Sequence, residues 1–412
     1  KAGKANITAK VNGKKYVCKV TVKNKEKVNK TTEATTQQST TQETPAQEKP
    51  TKPNTPSNPT APSNPTTPSK PDTPSKPTTP SNPSQPKNPG DVSALEKIIK
   101  EQNSKGAKLP ADLNTQYTVR YNDDGDEVIE DIGYKWDENG RLIGIRWFDC
   151  SMSGSLDLSE LTALTYLNCS WNFQLSSLDV SKNTALEWLS CSENKLSSLD
   201  VSKNTALERL ECWKNQLTKL DVSGATALTY LDCRWDQLSS LDVSNNTALE
   251  ILDCQFNQLS SLDVSKNTAL TYLDCAVNKL SSLDVSKNTA LTELYCSGDQ
   301  LSSLDVSGAT ALTKLGCKYT HLSSLDVSKN TALTKLNCDY NQLSSLDVSK
   351  NTALTELDCS SNQLSSLDVS NNTALTKLWC GSNKLSSLDV SKNTALEWLD
   401  CDDNVQVTGW PR

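Results

Sequence analysis

A cysteine recurs at a fixed interval through the C-terminal half of the chain. From Cys191 to Cys401, successive cysteines are separated by 21 residues without exception. Cys150 and Cys169 precede this series, at intervals of 19 and 22 residues. A strict period of about 20 to 50 residues predicts a solenoid, in which each repeat buries its apolar edge against its neighbours. We therefore expect residues 151–404 to form a repeat solenoid of about twelve turns.

Each repeat contains two segments with nearly the same pattern. Residues 354–364 read L-x-x-L-x-C-x-x-N-x-L, and residues 343–351 read L-x-x-L-x-V-x-x-N. Side chains alternate in a strand, so Leu357 and Cys359 would both point into the core, and Asn362 could bond the backbone of adjoining turns. Since the two segments have similar widths, we expect parallel β ladders on two faces and little helix.

The pattern in residues 354–364 resembles the leucine-rich repeat, and the likeness covers roughly residues 150–404. The nested halves of 11 and 10 residues are similar to an irregular bacterial class called IRREKO repeats. The resemblance implies a short parallel strand followed by an asparagine turn in every repeat.

The N-terminal residues predict a different structure. Residues 1–28 alternate apolar and polar residues on both sides of Asn12-Gly13, which indicates a β-hairpin. Residues 4–22 resemble the last two strands of a bacterial Ig-like domain of group 2. Because a lone hairpin is marginally stable and the chain starts at Lys1 rather than Met, we interpret it as a piece of a longer or processed protein.

Two segments connect the hairpin to the repeats. Residues 29–90 are rich in Thr and Pro, with a proline at every third position from Pro50 to Pro89, which predicts a disordered linker of polyproline II type. Residues 91–150 contain a capping box at Ser93 and Glu96, an apolar helical face, and strand patterns at 117–121 and 134–147. We expect a small α+β cap here, and a C-terminal end at residues 405–412.

Charge and hydropathy exclude two classes of partner. The net charge is −7, yet residues 1–28 hold nine Lys and one Glu, and the acidic excess lies in residues 91–412. An acidic surface argues against nucleic-acid binding. No apolar run approaches the roughly 18 residues that span a bilayer, so we expect no membrane insertion.

The two predicted faces differ in variability. The "SSLDVS" face is nearly constant and carries a ladder of aspartates that includes Asp200, Asp221 and Asp242. The other face, here called the variable face, changes at three sets of positions: between the two leucines, between leucine and cysteine, and just after the cysteine. Its candidate ligand-binding residues are Tyr166, Trp188, Arg209, Trp213, Tyr230, Trp235, Phe256, Tyr272, Tyr295, Tyr319, Tyr340, Trp379 and Trp398.

The sequence argues against metal, cofactor and catalytic chemistry. The cysteine ladder, which includes Cys191, Cys212 and Cys233, has no C-x-x-C pair, so we expect buried core thiols and no metal or cofactor. We expect each aspartate of the ladder to bond a neighbouring Ser, Thr or Lys, and stacked charges predict an acid–base partner or a raised pKa. The single histidine, His321, has no nucleophile or orienting partner, so no enzyme is expected.

These observations favour an extracellular recognition or adhesion module of a Gram-positive bacterium, secreted or associated with the cell surface or cell wall. Its partner would be a host or bacterial surface protein or a glycan, and we expect a monomer. A leucine-rich-repeat rod beside an Ig-like segment resembles internalin-like surface proteins, which implies adhesion. The alternatives are a passive structural spacer, whose aromatic rings would only stack between repeats, and the carbohydrate-targeting module of an enzyme with an upstream catalytic domain.

Overall fold

A computed structural model describes residues 3–11, 14–22, 85–121 and 127–410. The chain divides into two units, Lys1–Pro74 and Ser75–Arg412. In the first unit, strands Gly3–Val11 (β1) and Lys14–Val22 (β2) pair antiparallel, as the hairpin pattern predicts. The Asn12-Gly13 turn and the predicted linker up to residue 84 lie outside the described residues. The Ig-like assignment stays a prediction.

The helix of the second unit begins earlier than the sequence predicts. It spans Pro89–Ser104 (α1), and its N-cap is Asn88, whose side chain accepts hydrogen bonds from the backbone of Gly90 at 2.9 Å and Asp91 at 3.1 Å. The capping box predicted at Ser93 is therefore wrong. An Asn followed by Pro starts a helix well, since Asn caps the first amides and Pro needs no amide partner at that position. The helix also begins inside the stretch assigned to the linker.

Four strands follow the helix. Thr118–Tyr121 (β3) and Glu127–Glu130 (β4) form one antiparallel pair, and Gly133–Trp136 (β5) and Leu142–Arg146 (β6) form another. The buried Asp91 carboxylate joins α1 to β6, because it accepts hydrogen bonds from Arg141 Nε at 2.7 Å and from the Leu142 amide at 2.9 Å. The strands predicted at 117–121 and 134–147 are confirmed, whereas β4 was not predicted.

The repeats contribute the remaining strands, most of them three residues long. In chain order they are Ser153–Asp157 (β7), Tyr166–Asn168 (β8), Gln174–Asp179 (β9), Trp188–Ser190 (β10), Ser198–Asp200 (β11), Arg209–Glu211 (β12), Lys219–Asp221 (β13), Tyr230–Asp232 (β14), Ile251–Asp253 (β15), Tyr272–Asp274 (β16), Glu293–Tyr295 (β17), Lys314–Gly316 (β18), Lys335–Asn337 (β19), Glu356–Asp358 (β20), Lys377–Trp379 (β21), Ser387–Asp389 (β22), Trp398–Asp400 (β23) and Gln406–Thr408 (β24).

One continuous sheet forms the variable face. It has 14 strands and runs from β5 and β6 through β8, β10, β12 and β14–β21 to β23. From β6 onward every pair is parallel, and in the repeats equivalent residues lie opposite each other, as Leu189, Leu210 and Leu231 do. The opposite face pairs in shorter parallel pieces, which include β7 with β9, β11 with β13 and β22 with β24, and isolated parallel bridges that join Asp284 to Asp305 and Asp305 to Asp326. The predicted solenoid with ladders on two faces and little helix is confirmed.

The core is built from columns of identical residues. Leucine, valine and cysteine stack directly above one another, and Cys191, Cys212 and Cys233 are fully buried. Burial raises the pKa of these three thiols well above its usual value. The fully buried cysteines of the ladder are therefore small apolar core residues in neutral form.

In most described repeats, an asparagine three residues after the cysteine donates hydrogen bonds to backbone carbonyls of the turn. Asn194 Nδ2 donates to the carbonyl oxygens of Cys169 at 3.1 Å and Cys191 at 2.7 Å. Asn362 repeats this arrangement with Cys338 and Cys359, at 3.0 and 3.1 Å, as predicted from its position. Each amide thus joins two turns, since one of its acceptors belongs to its own repeat and the other to the preceding repeat.

A second asparagine ladder lies on the opposite side of the core. Asn351 Nδ2 donates to the carbonyl oxygens of Val327 and Asn330, each at 2.9 Å. The members share complete or nearly complete burial, and they are Asn183, Asn204, Asn246, Asn267, Asn288, Asn330, Asn351, Asn372 and Asn393. Both halves of the repeat are therefore joined to their neighbours by amide side chains.

The aspartates of the constant face bond the serine two residues ahead. The carboxylates of Asp200, Asp221 and Asp242 accept from the amide of that serine at 2.8 to 2.9 Å. Hydrogen bonds from Ser223 and Ser244 lower the pKa of Asp221 and Asp242. The predicted bonding to a neighbouring serine is confirmed. The expected raised pKa is wrong at these two residues, because hydrogen bonds to the ionised form outweigh repulsion between the stacked charges.

Two repeats replace the asparagine after the cysteine with an aspartate. Asp236 Oδ1 accepts from the amides of Asn215 at 3.1 Å and Leu217 at 2.9 Å, while its Oδ2 is buried without a hydrogen-bond partner. Asp299 has the same arrangement, with Oδ2 also unpartnered. In neighbouring repeats, asparagine has an NH2 group in place of the Oδ2 atom, and this group donates hydrogen bonds to cysteine carbonyls. Burial raises the pKa of both aspartates to about 7, so a protonated carboxyl can take the place of the amide donor.

We expect Asp236→Asn to stabilise the protein at pH 8 and to have little effect near pH 4. The folded-state pKa lies above the unfolded one, so the stability that Asp236 contributes is complete below about pH 4 and is lost as the pH rises through about 7. The gain at pH 8 would be on the order of 2–4 kcal/mol. The measurement is urea unfolding of the wild type and D236N between pH 4 and pH 8.

The reverse substitution Asn215→Asp is the matched control, because Asn215 occupies the same position one repeat earlier. It should introduce a loss of stability between pH 4 and pH 8. Equal effects of D236N at both pH values would contradict a protonated Asp236.

Burial also predicts that the cysteine ladder is unreactive. In native Cys18→Ala protein, a thiol-specific alkylating agent at pH 8 should modify none of the twelve buried cysteines from Cys150 to Cys380, and at most the half-buried Cys401. Modification should become complete in denaturant, because unfolding returns each thiol to its ordinary pKa. Peptide mass spectrometry of Cys18→Ala protein measures this directly. Rapid native labelling at Cys275 would show that the ladder opens.

Candidate ligand-binding face

The outward positions of the 14-stranded sheet form two parallel columns. The first column contains the residues between the two leucines: Tyr166, Trp188, Arg209, Tyr230, Ile251, Tyr272, Glu293, Lys314, Lys335, Glu356, Lys377 and Trp398. The second column lies between leucine and cysteine and contains Asn168, Ser190, Glu211, Asp232, Asp253, Asp274, Tyr295, Gly316, Asn337, Asp358, Trp379 and Asp400. The first-column side chains are half-buried or exposed, so ligand could reach them.

Aromatic rings and one guanidinium pack against each other at the N-terminal end of the first column. The rings of Tyr166 and Trp188 lie 5.8 Å apart between centroids. Arg209 Cζ lies 4.9 Å from the ring centre of Trp188 and 3.5 Å from that of Tyr230. Glu211 holds the same guanidinium through a 2.7 Å ion pair. Tyr166, Trp188, Arg209 and Tyr230 are here called the N-terminal cluster.

Carboxylates of the second column continue beside this cluster. Asp232, Asp253 and Asp274 stack in register and are nearly buried. Arg234 binds Asp232 at 3.4 Å and Asp253 at 3.2 Å, and its guanidinium also lies 5.4 Å from the ring centre of Trp213. Burial, then repulsion from Asp253, raises the pKa of Asp232 to about 7, and burial raises that of Asp274 to about 7. The acidity of this part of the face therefore depends on pH near neutrality.

Five of the candidate residues lie outside the sheet, namely Trp213, which directly follows a cysteine, and four others. Trp235, Phe256, Tyr319 and Tyr340 each come two residues after a cysteine, in the turn that leaves the strand. Their φ angles lie between 51° and 58°, in the left-handed region. We call these four residues the turn ridge. These residues follow the strand and do not share its alternation, because the chain turns immediately after the cysteine.

The turn ridge combines inter-repeat stacking with exposure. Trp235 and Phe256 stack with centroids 3.8 Å apart and ring planes at 9°, and Tyr319 and Tyr340 stack at 4.2 Å. Trp235, Tyr319 and Tyr340 nevertheless keep about half of their surface exposed, 51%, 49% and 50% respectively. The stacking expected for a spacer and the exposure expected for a binding surface thus occur in the same residues.

The remaining candidates lie toward the C-terminal end. The ring of Tyr295 lies 5.8 Å from that of Tyr272, and its hydroxyl donates to Glu293 at 3.0 Å. Tyr295 and Trp379 flank a recess in the second column, lined also by Gly316, which the sequence prediction did not include. A change from tyrosine to glycine at the same position of consecutive repeats is a signal that could have indicated this recess. Trp398, 56% exposed, lies apart on the last strand of the sheet.

Within the part of the chain that the structure describes, no group of three or more His, Cys, Asp or Glu side chains converges as a metal site would require. His321 is exposed, in a turn with φ of 65°. Across residues 85–121 and 127–410, no helix has the length and apolar character needed to span a membrane.

Known proteins share this architecture. Residues 352–393 match the family Leucine Rich repeats (2 copies). The functional domain of InlJ from Listeria monocytogenes, which includes a cysteine ladder, is 36% identical, with a TM-score of 0.57 over 65% of this chain and 68% of that one. A leucine-rich-repeat protein of Leptospira interrogans superposes with a TM-score of 0.58 at 24% identity, covering 65% of this chain and 73% of the other, which supports the fold. No curated protein sequence matches.

The similarity to the InlJ domain extends over about two thirds of that domain, and both proteins have a cysteine ladder, the feature that most constrains this chain. The solenoid, the parallel sheet and the buried thiols follow from that repeat. The chain belongs to the internalin-like leucine-rich-repeat proteins.

Proposed function

We propose that this protein is an extracellular adhesion module that binds a protein on a host or bacterial surface through the N-terminal cluster of its variable face. The observation that carries the proposal is the packing of Arg209 between the rings of Trp188 and Tyr230 on an otherwise regular sheet. Tryptophan, tyrosine and arginine are the residues that contribute most binding energy in protein interfaces.

The packing within the cluster favours binding rather than opposing it. Rings and guanidinium already contact each other at 3.5 to 5.8 Å, and Glu211 fixes the arginine by an ion pair. Ordering such side chains ahead of binding reduces the entropy lost on association. Side-chain contacts between neighbouring repeats are expected for a passive spacer. A preorganised binding surface needs the same contacts.

The contrast between the two faces supports the same proposal. Rod formation requires the leucines, cysteines and asparagines, which the repeats share, and the serine and aspartate of the constant face satisfy their own backbone. None of these interactions uses the first-column side chains. The first-column residues of a protein that is secreted or held at the wall of a Gram-positive bacterium could therefore vary without loss of the fold.

We expect a triple variant, Trp188→Glu, Arg209→Lys and Tyr230→Lys, to lose binding at least tenfold while the solenoid stays intact. These substitutions reproduce the sequence of Glu293, Lys314 and Lys335, which the same column already carries. The measurement screens the full chain and the variant on arrays of host surface proteins and of glycans, with circular dichroism as the test of folding.

Trp398→Lys is the matched control, because Trp398 occupies the same column at the far end of the sheet. It should bind as the wild type does. Equal protein binding by the triple variant would refute the assignment to this cluster. Binding to glycans alone would replace the protein partner, and binding to neither array would favour the spacer.

A further inference from the structure

We infer that the recess between Tyr295 and Trp379 is a separate binding site for a neutral oligosaccharide. The inference deepens the proposed recognition function but uses other residues than the N-terminal cluster. The recess has a volume of about 300 Å³. Its lining includes Tyr295, Lys314, Gly316, Lys335, Glu356 and Trp379.

The recess exists because side-chain size changes abruptly along the second column. Tyr295 pairs directly with Gly316, and Gly316 pairs with Asn337. A Cβ atom at position 316 would lie 2.8 Å from Cδ1 of Tyr295, so the tyrosine ring leans into space that any larger residue would occupy. The next ring in the column is that of Trp379, four strands beyond Tyr295. At about 4.8 Å per strand, the two rings are roughly 19 Å apart along the sheet.

Charges around the recess are compensated by their neighbours. Lys314 binds Glu293 at 2.7 Å, and Glu356 lies between Lys335 at 3.3 Å and Lys377 at 3.0 Å. The lining itself holds two lysines, Lys314 and Lys335, and two carboxylates, Glu356 and Asp358. A site with balanced charge gives no electrostatic preference for an anionic or cationic ligand, so a neutral ligand fits it best.

The chemistry of the lining then selects a carbohydrate. Aromatic faces pack against the C–H surface of a sugar ring, and the lysine, carboxylate and amide groups between them offer donors and acceptors for its hydroxyl groups. An extended peptide is less suitable, because each strand here is already paired on both sides and leaves no sheet edge to extend. The separation of the two rings requires a short oligosaccharide rather than a single sugar.

The test uses Gly316→Asn in the full chain. Asparagine fills the recess and displaces the Tyr295 ring, because its Cβ atom would lie 2.8 Å from Cδ1 of that ring. Circular dichroism of G316N checks that the solenoid stays intact. The probes are chitotriose, maltotriose and mannotriose, measured by ligand-observed NMR saturation transfer. Wild-type protein should bind at least one of them, and G316N should bind it at least tenfold more weakly. Tyr340→Ser, in the turn ridge, is the control and should bind as wild type.

Three results would overturn the inference: no binding of any of the three probes, binding that G316N leaves unchanged, or preferential binding of sialylated and sulfated trisaccharides. None of them bears on the N-terminal cluster. Conversely, a triple variant that retains protein binding would refute the proposed function and leave this site untouched.

Discussion

The solenoid depends on satisfying buried carbonyl groups at the turn after each cysteine. The chain leaves the strand there with a residue in the left-handed region, and the cysteine carbonyl then faces the interior. One asparagine amide donates to the carbonyls of two consecutive repeats, so the hydrogen bond that completes one turn also fixes the next one above it. An unsatisfied buried carbonyl would cost about 1–3 kcal/mol in each repeat. The residue that satisfies these carbonyls therefore recurs with the cysteine at intervals of 21 residues.

The same constraint explains why aspartate is tolerated at two positions of the ladder. Asp236 and Asp299 keep the acceptor half of the asparagine through Oδ1, and they can recover the donor half only as neutral acids. On the constant face the pKa shifts in the opposite direction. The exposed aspartates accept hydrogen bonds from backbone amides in their ionised form, which lowers their pKa. Identical side chains thus adopt opposite protonation behaviour within one repeat, according to burial and the type of hydrogen bond offered.

Periodic features could be predicted from the sequence, and local departures from them could not. Leu357, Cys359 and Asn362 take the roles that their spacing indicates, since stacking repeats converts a period directly into columns. The helix start at Asn88 could not be predicted, because Asn88 and Pro89 continue the proline-rich pattern of the linker. The turn ridge could not be predicted without knowing where each strand ends. The recess at Gly316 arises because a small residue lies beside a large one on the adjacent strand. The pattern within a single repeat does not contain this difference in size.

In-register parallel pairing has a consequence for how such a protein can change. Equivalent residues lie opposite each other from one repeat to the next, so gain or loss of a whole 21-residue unit leaves both neighbouring turns with suitable partners. Unequal recombination between the nearly identical repeats would produce such events. The N-terminal cluster and the recess would each survive intact, while the distance between them would change in steps of about 4.8 Å. Length variants could thereby match ligands whose two attachment points are differently spaced.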